Sequence, residues 1–348
     1  MTKPDYAAAE GSAHRLLEKY ALNSLPVDLE RIFNAFSNLQ IKTYTWFAEF
    51  HRVTIDDVIE IADSEHGCCW YMSDKCQYMI LYNDTIPNIG RIRWTIAHEL
   101  GHYRLKHNEK SDKTIISRSR LSKHEYDVLE KEANCFARAL LAPSSVLVAL
   151  GRLDVMLISD MCRISFEAAG NVMSFLKKGF EMGRVYTENR LTSLFSKTIF
   201  NHVYAHTCTE CRSVFASEIC YFCPVCGSDS IIKGRSLNNM IYSGFETDEN
   251  SRVKVCARCE NEEVSNQGEY CKVCAAPVVN KCTNIHRDIN GYIEWECGTL
   301  ASGNARYCIN CGEETVFFKK GLLKSWNSVI EEERQLAELE AVFAELKV

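Results

Sequence analysis

The sequence predicts an α+β protein: a mainly helical front domain with a small β-sheet, then small β modules built on cysteine, then a C-terminal helix. Two observations carry this expectation. Helical and alternating apolar patterns interleave over the first half of the 348 residues. The 18 cysteines are divided sharply: Cys68, Cys69, Cys76, Cys135 and Cys162 are scattered through the first 207 residues, and the other thirteen fall between Cys208 and Cys311. The predicted organisation is a front domain over 1–190, a linker over 191–207, cysteine modules over 208–234, 252–280 and 281–318, and a helical tail over 322–348.

Taken in order, Ala13, Leu16, Leu17 and Tyr20 recur at helical spacing and predict a helix over residues 6–20. Pro26 opens a second over 27–36, because proline is tolerated in a first turn. The alternating run 41–46 predicts a strand, and a short helix is expected over 54–62. Strands follow around 68–72 and 77–82, with Ser73-Asp74-Lys75 as their hairpin turn. Helices resume over 90–106 and 125–141, the latter stopped by Pro143, and two or three shorter ones fill 144–182. In the tail, Leu336, Leu339, Phe343 and Leu346 form an amphipathic stripe. Two heptads are too few for a free-standing coiled coil, so docking onto the chain's own ribbons or front domain is preferred over dimerisation.

Hydrophobic residues at 46% and charged residues at 25% exclude wholesale disorder. No run approaches the roughly 18–20 apolar residues of a membrane span, and the amino terminus lacks the pattern of a signal peptide. The expected compartment is a reducing cytoplasm, where many cysteines point to metal rather than disulfides.

Residues 95–107 read Thr-Ile-Ala-His-Glu-Leu-Gly-His-Tyr-Arg-Leu-Lys-His. On a helix His98 and His102, four apart, project from one face and can share a zinc ion, with Glu99 placed to act on a water there. A catalytic zinc needs a third protein ligand and an open position. The residue six beyond His102 is Asn108, which excludes the longer three-histidine motif. Glu132 is the stronger candidate for third ligand. It falls within the apolar stripe of Leu129, Ala133, Phe136 and Leu140, after a capping box at Ser122-Lys-His-Glu125, and a core-facing carboxylate calls for a partner. Glu125 and Glu130 are weaker rivals, off the stripe or near the helix start. His107 is expected in packing or behind the ligands. Tyr103, His107 and Arg138 are the candidates for stabilising an oxyanion, and strand 77–82 is a candidate edge for holding an extended peptide.

The cysteine modules repeat. Cys208-x2-Cys211-x11-Cys223-x2-Cys226 and Cys256-x2-Cys259-x11-Cys271-x2-Cys274 share one internal spacing, each giving two zinc knuckles and a four-thiolate site. In a third, Cys308-x2-Cys311 is an intact knuckle and Cys297 precedes it, but Glu294 stands where the partner of Cys297 belongs. Cys282 is the stronger fourth ligand, brought back by a hairpin around Asn290-Gly291, with His286 and Glu294 as possible substitutes. Cys220 is left over. Residues 200–320 hold 12 lysines and arginines against 15 acids, which argues against nucleic acid as partner.

Ala97-His-Glu-Leu-Gly-His102, followed by Glu130-Lys-Glu-Ala-Asn-Cys-Phe-Ala-Arg-Ala-Leu-Leu-Ala-Pro143, resembles the ImmA/IrrE metallopeptidases. The resemblance runs from the first helix, through Pro26-Val-Asp-Leu-Glu30, to about residue 180. It implies a zincin-like, gluzincin-type domain with His98, His102 and Glu132 as zinc ligands and Glu99 as acid/base. It further implies a protein substrate, a helix-turn-helix repressor of a mobile element or stress regulon, cleaved to relieve repression. Ala142 departs from the methionine common before that proline. The expectation is a cytoplasmic zinc endopeptidase with one catalytic and three structural zinc ions, whose ribbons recruit substrate or partner. The alternative is a zinc-ribbon sensor or interaction protein using the peptidase fold as a regulatory scaffold.

Overall fold

Apolar spacing and side-chain caps together fix the elements of the first of two units, Met1–Ile199. The structure, a computed structural model, describes residues 3–116, 119, 121–236, 239–264 and 267–345. Helix α1 (Tyr6–Lys19) starts at Asp5, whose carboxylate accepts the Ala8 N–H, and buries Ala9, Ala13, Leu16 and Leu17. Helix α2 (Leu29–Phe33) is shorter than expected, because Asp28 caps it two residues beyond Pro26. Strand β1 (Leu39–Thr43) ends before the predicted 46. The Thr43 hydroxyl accepts the Trp46 N–H and starts helix α3 (Tyr44–His51) in the middle of the alternating run. Helix α4 (Ile55–Ala62) opens on a Thr54–Asp57 capping box.

Strands β2 (Gly67–Met72) and β3 (Gln77–Tyr82) form the predicted hairpin, with Cys76 exposed beside its turn. The sheet order is β1-β3-β2, with β1 parallel and β2 antiparallel to β3. Residues 77–82 are therefore central, with both edges paired, and offer no edge to a peptide. The outer strand on that side is β2, itself partly covered: Tyr71 donates its N–H to the Thr114 carbonyl at 2.8 Å, and the Asn108 amide donates to Cys69 O at 3.1 Å.

Helix α5 (Ile89–Leu105) is capped by Asn88, and Lys106 at φ 58° turns the chain into a short helix that the sequence did not announce, α6 (His107–Ser111). Helix α7 (Lys123–Leu141) carries the predicted capping box. Helices α8 (Ser144–Ala149), α9 (Val155–Cys162), α10 (Phe166–Glu181), α11 (Arg190–Leu194) and α12 (Ser196–Val203) follow. Helix α7 packs on both α1 and α5. At Gly101 of α5 an added Cβ would stand 3.2 Å from Ala133 Cα, Ala133 O and Phe136 Cδ1, so the glycine sets how closely α5 and α7 approach.

In the second unit, Phe200–Val348, strands β4 (Ala205–Cys208), β5 (Val214–Ala216) and β6 (Ile231–Lys233) form a sheet in the order β5-β4-β6. Strands β7 (Ile285–Arg287) and β8 (Ile293–Glu296) form an exposed hairpin. Helices α13 (Val316–Lys319) and α14 (Trp326–Glu345) end the chain. The ribbons are joined by buried polar groups. Arg306, 1% exposed, donates to the Lys324 and Asn304 carbonyls from its side chain and to Pro224 O from its backbone. Asn280 donates to the Ser302 and Ala305 carbonyls and accepts the Phe317 N–H. Trp326, Val329 and Ile330 of α14 pack against the cluster of Cys208, Cys211, Cys223 and Val225 in the first ribbon and Tyr242 after it, whereas Leu336 is exposed. Leu339, Phe343 and Leu346 lie outside the residues whose side chains are described. Among the described residues no helix is long and apolar enough to cross a membrane.

Candidate metal centres

Helix α5 presents His98 and His102 on one face, and α7, held close by Gly101, brings a carboxylate to them. That carboxylate belongs to Glu130. Its oxygens lie 3.4 Å from His98 Nε2 and 3.3 Å from His102 Nε2, and the two Nε2 atoms are 3.1 Å apart. His98, His102 and Glu130 thus form a group that can hold a metal ion. Two nitrogens bound to one zinc at about 2.0–2.1 Å and a tetrahedral angle stand about 3.3 Å apart, so the donor set and spacing fit.

Glu132 does not face this group. Its carboxylate accepts from His107 Nε2 at 3.0 Å and from the Asp5 N–H at 2.7 Å. The expectation that it is the third ligand is corrected by helix geometry. Helix α7 buries two adjacent stripes, one against α5 and one against α1, and Glu132 lies on the second. Glu130 sits three residues before Ala133, the residue opposite Gly101, and four before Asn134, whose Oδ1 is 3.2 Å from His98 Nδ1. The signal in the sequence was the small pair Gly101 and Ala133, which marks the line of closest approach.

Glu132 still bears on the cluster through a chain of hydrogen bonds. The His107 bond, helped by the Asp5 N–H, holds the Glu132 carboxyl below its usual range, so it accepts. His107, kept neutral by burial, then donates from Nε2 and accepts at Nδ1 from His102 Nδ1, 2.9 Å away. That leaves the His102 Nε2 lone pair free to face a cation. Asn134 does the same for His98.

Glu99 is buried, and burial pushes its carboxyl up to about 7, with His98 and a backbone hydrogen bond from Cys69 opposing the shift. Burial works against a charged Glu130 too, but hydrogen bonds with His102 and His98 hold it well below the usual carboxylate range. The three candidate oxyanion donors are all engaged elsewhere. Tyr103 donates to Asn38 Oδ1 at 2.8 Å, His107 links His102 to Glu132, and Arg138 donates to Ser144 Oγ at 3.1 Å. Cys69 is a buried thiol raised well above its usual value by burial, which leaves it inert.

In the second unit Cys208, Cys211, Cys223 and Cys226 converge, as do Cys256, Cys259, Cys271 and Cys274. The third group is Cys282, Cys297, Cys308 and Cys311. Sulfur pairs in the three groups lie 3.4–3.8 Å apart, against about 3.8 Å for thiolates around one tetrahedral zinc at about 2.3 Å. Cys282 reaches its group because Gly291, at φ 86°, turns the β7–β8 hairpin and the Cys297 N–H donates to Asn284 O. His286 and Glu294 lie on that exposed hairpin, outside the group, and Cys220 belongs to none of the three.

Residues 61–174 match the Peptidase_M78 family, described as an IrrE N-terminal-like domain. No curated protein matches the chain. The matched segment contains all of α5 and α7, and with them His98, Glu99, His102 and Glu130. Residues 61–174 are thus similar to the IrrE N-terminal-like domain of the Peptidase_M78 family, and cysteine groups able to hold metal follow them.

Proposed function

We propose that the protein is a zinc-dependent endopeptidase in which His98, His102 and Glu130 hold the ion and Glu99 moves the proton. The observation that carries this reading is the convergence of two imidazole nitrogens and a carboxylate beside a buried glutamate, within a peptidase-type domain. Zinc bound there supplies Lewis acidity to a peptide carbonyl and lowers the pKa of water toward about 7. Asn134 and the His107–Glu132 pair keep both rings turned with Nε2 toward the ion. Glu99 accepts the proton of the attacking water at a carboxylate oxygen and returns it to the departing amine nitrogen. One peptide bond and one water become one carboxylate and one amine.

The cysteine groups each offer four sulfurs and no open position, which suits structural zinc. With 12 basic against 15 acidic residues over 200–320, the ribbons suit recruitment of a protein better than nucleic acid. By resemblance, a helix-turn-helix repressor in the cytoplasm is the first substrate to test.

The test compares cells carrying wild-type protein with cells carrying Glu99→Gln and sequences new protein termini. The variant should keep its full zinc content, about four ions per chain, and lose cleavage by about 10²–10⁴-fold. Identical termini in the two strains would sink the mechanism.

A further inference from the structure

Helices α1, α5, α7 and α10 of the first unit line a cleft of about 710 Å³ that is open to solvent. It adjoins the histidine cluster. Thr95, one helical turn before His98, lines it, and so does Asn134, which touches His98 Nδ1. Its charged border is Arg91, Lys131, Arg138 and Arg184 against Glu10 and Glu167, a local excess of cations in a chain whose formal net charge is −6.

Arg138 is held by the fold, Arg91 reaches His66 Nε2 with its Nη2 at 3.1 Å, and Lys131 and Arg184 stand at the border. Arg138 is buried, its guanidinium 3.6 Å from the centre of the Phe175 ring, bonded to Ser144 Oγ and paired with Glu10 at 4.0 Å. Arg184 lies 5.4 Å from the same ring. Arg184 and Lys131 are exposed and form no ion pair among the described residues. Trp94 and Phe175 add apolar surface between the charges. A single carboxylate or phosphate would leave most of 710 Å³ empty, whereas the volume is within the range of pockets that bury much larger ligands.

We propose that this cleft binds an acidic stretch of the peptide substrate beside the scissile bond. Carboxylate side chains are held by Arg91, Lys131 and Arg184, and an apolar neighbour rests against Phe175 and Trp94. The assignment rests on the endopeptidase reading for its substrate, but its test does not require turnover.

Zinc-loaded, full-length Glu99→Gln protein is titrated with fluorescent dodecapeptides of random sequence carrying either two adjacent glutamates or two adjacent glutamines. The glutamate set should bind about tenfold more tightly, by an amount that shrinks with salt. Adding Arg91→Glu and Arg184→Glu should reverse the preference toward peptides carrying two lysines, at unchanged zinc content. Equal binding of the two sets, or a preference untouched by charge reversal, overturns the proposal. N-acetylglutamate is the second arm: if it alone competes at the concentration of the acidic peptides, the cleft serves a small carboxylate and the peptide assignment fails. Wild-type protein that binds acidic peptides with the stated preference and cleaves nothing would remove the endopeptidase reading and keep the acidic site.

Discussion

The two kinds of metal-type site differ in how their donors are gathered. Two cysteine groups take all four sulfurs from Cys-x2-Cys knuckles, the third takes two from a knuckle and two from Cys282 and Cys297 across the β7–β8 hairpin, and each gathers four like donors. The histidine cluster takes two nitrogens from α5 and one carboxylate from α7, one donor fewer than a tetrahedral ion takes. A closed thiolate site suits holding a fold together, and an open mixed site suits chemistry. The difference also decides what a substitution does. In the ribbons, ligand and core are the same residues, since Cys208, Cys211, Cys223, Cys256 and Cys271 are themselves buried core positions. In the front unit the candidate ligands His98 and Glu130 are partly buried and His102 is buried, and none of them is an apolar core residue.

The contrast is broken most directly in the ribbons. Structural zinc contributes about 10–16 kcal/mol in small zinc modules, so Cys256→Ser should unfold the second unit while the first persists. Amide NMR spectra of the full chain should then lose the dispersed signals of residues 205–325 and keep those of α5 and α7. Retention of both sets would show that the ribbons do not depend on metal.

The next largest effect separates the two glutamates. Glu130→Gln should weaken zinc binding at the histidine cluster by more than about 100-fold. Glu132→Gln and His107→Phe should each weaken it by about 10–100-fold, through the orientation of His102. Because Glu132 and His107 act in one chain, the double variant should be little worse than either alone. Competition with a chromophoric chelator measures all four, and the reverse order for the glutamates would restore Glu132 as a ligand.

Smaller effects fall on the scaffold. Gly101→Ala places a methyl against Ala133 and Phe136 and should cost about 1–3 kcal/mol, read as a lower Tm together with weaker zinc binding. Ser122→Ala removes one half of the α7 capping box and should cost about 1 kcal/mol, with zinc affinity unchanged. If Gly101→Ala lowered Tm and left zinc affinity untouched, the approach of α5 to α7 would not be what positions Glu130.

Much of this was legible along the chain. Apolar period and caps locate α1, α4, α5 and α7, and the β2–β3 hairpin, because those signals act within a few residues. The first two cysteine groups were legible for the same reason: a Cys-x2-Cys turn is local, and its spacing is its geometry. The end of β1 was missed because one hydroxyl, Thr43, turned an alternating run into a helix start. The central place of β3 was missed because strand order depends on which partners arrive from elsewhere.

Sequence alone thus determined which residue types could take metal, and that three groups of cysteines follow the helix of His98 and His102. Tertiary structure decided which acid joins the histidines. Glu130 and Glu132 are two residues apart on one helix, about 200° around its axis. The close contact of Gly101 with Ala133 turns one of them to α5 and leaves the other to His107 and the start of α1. Tertiary structure also welded the ribbons through Arg306 and Asn280, whose burial is favourable only because carbonyls distant in sequence converge on them.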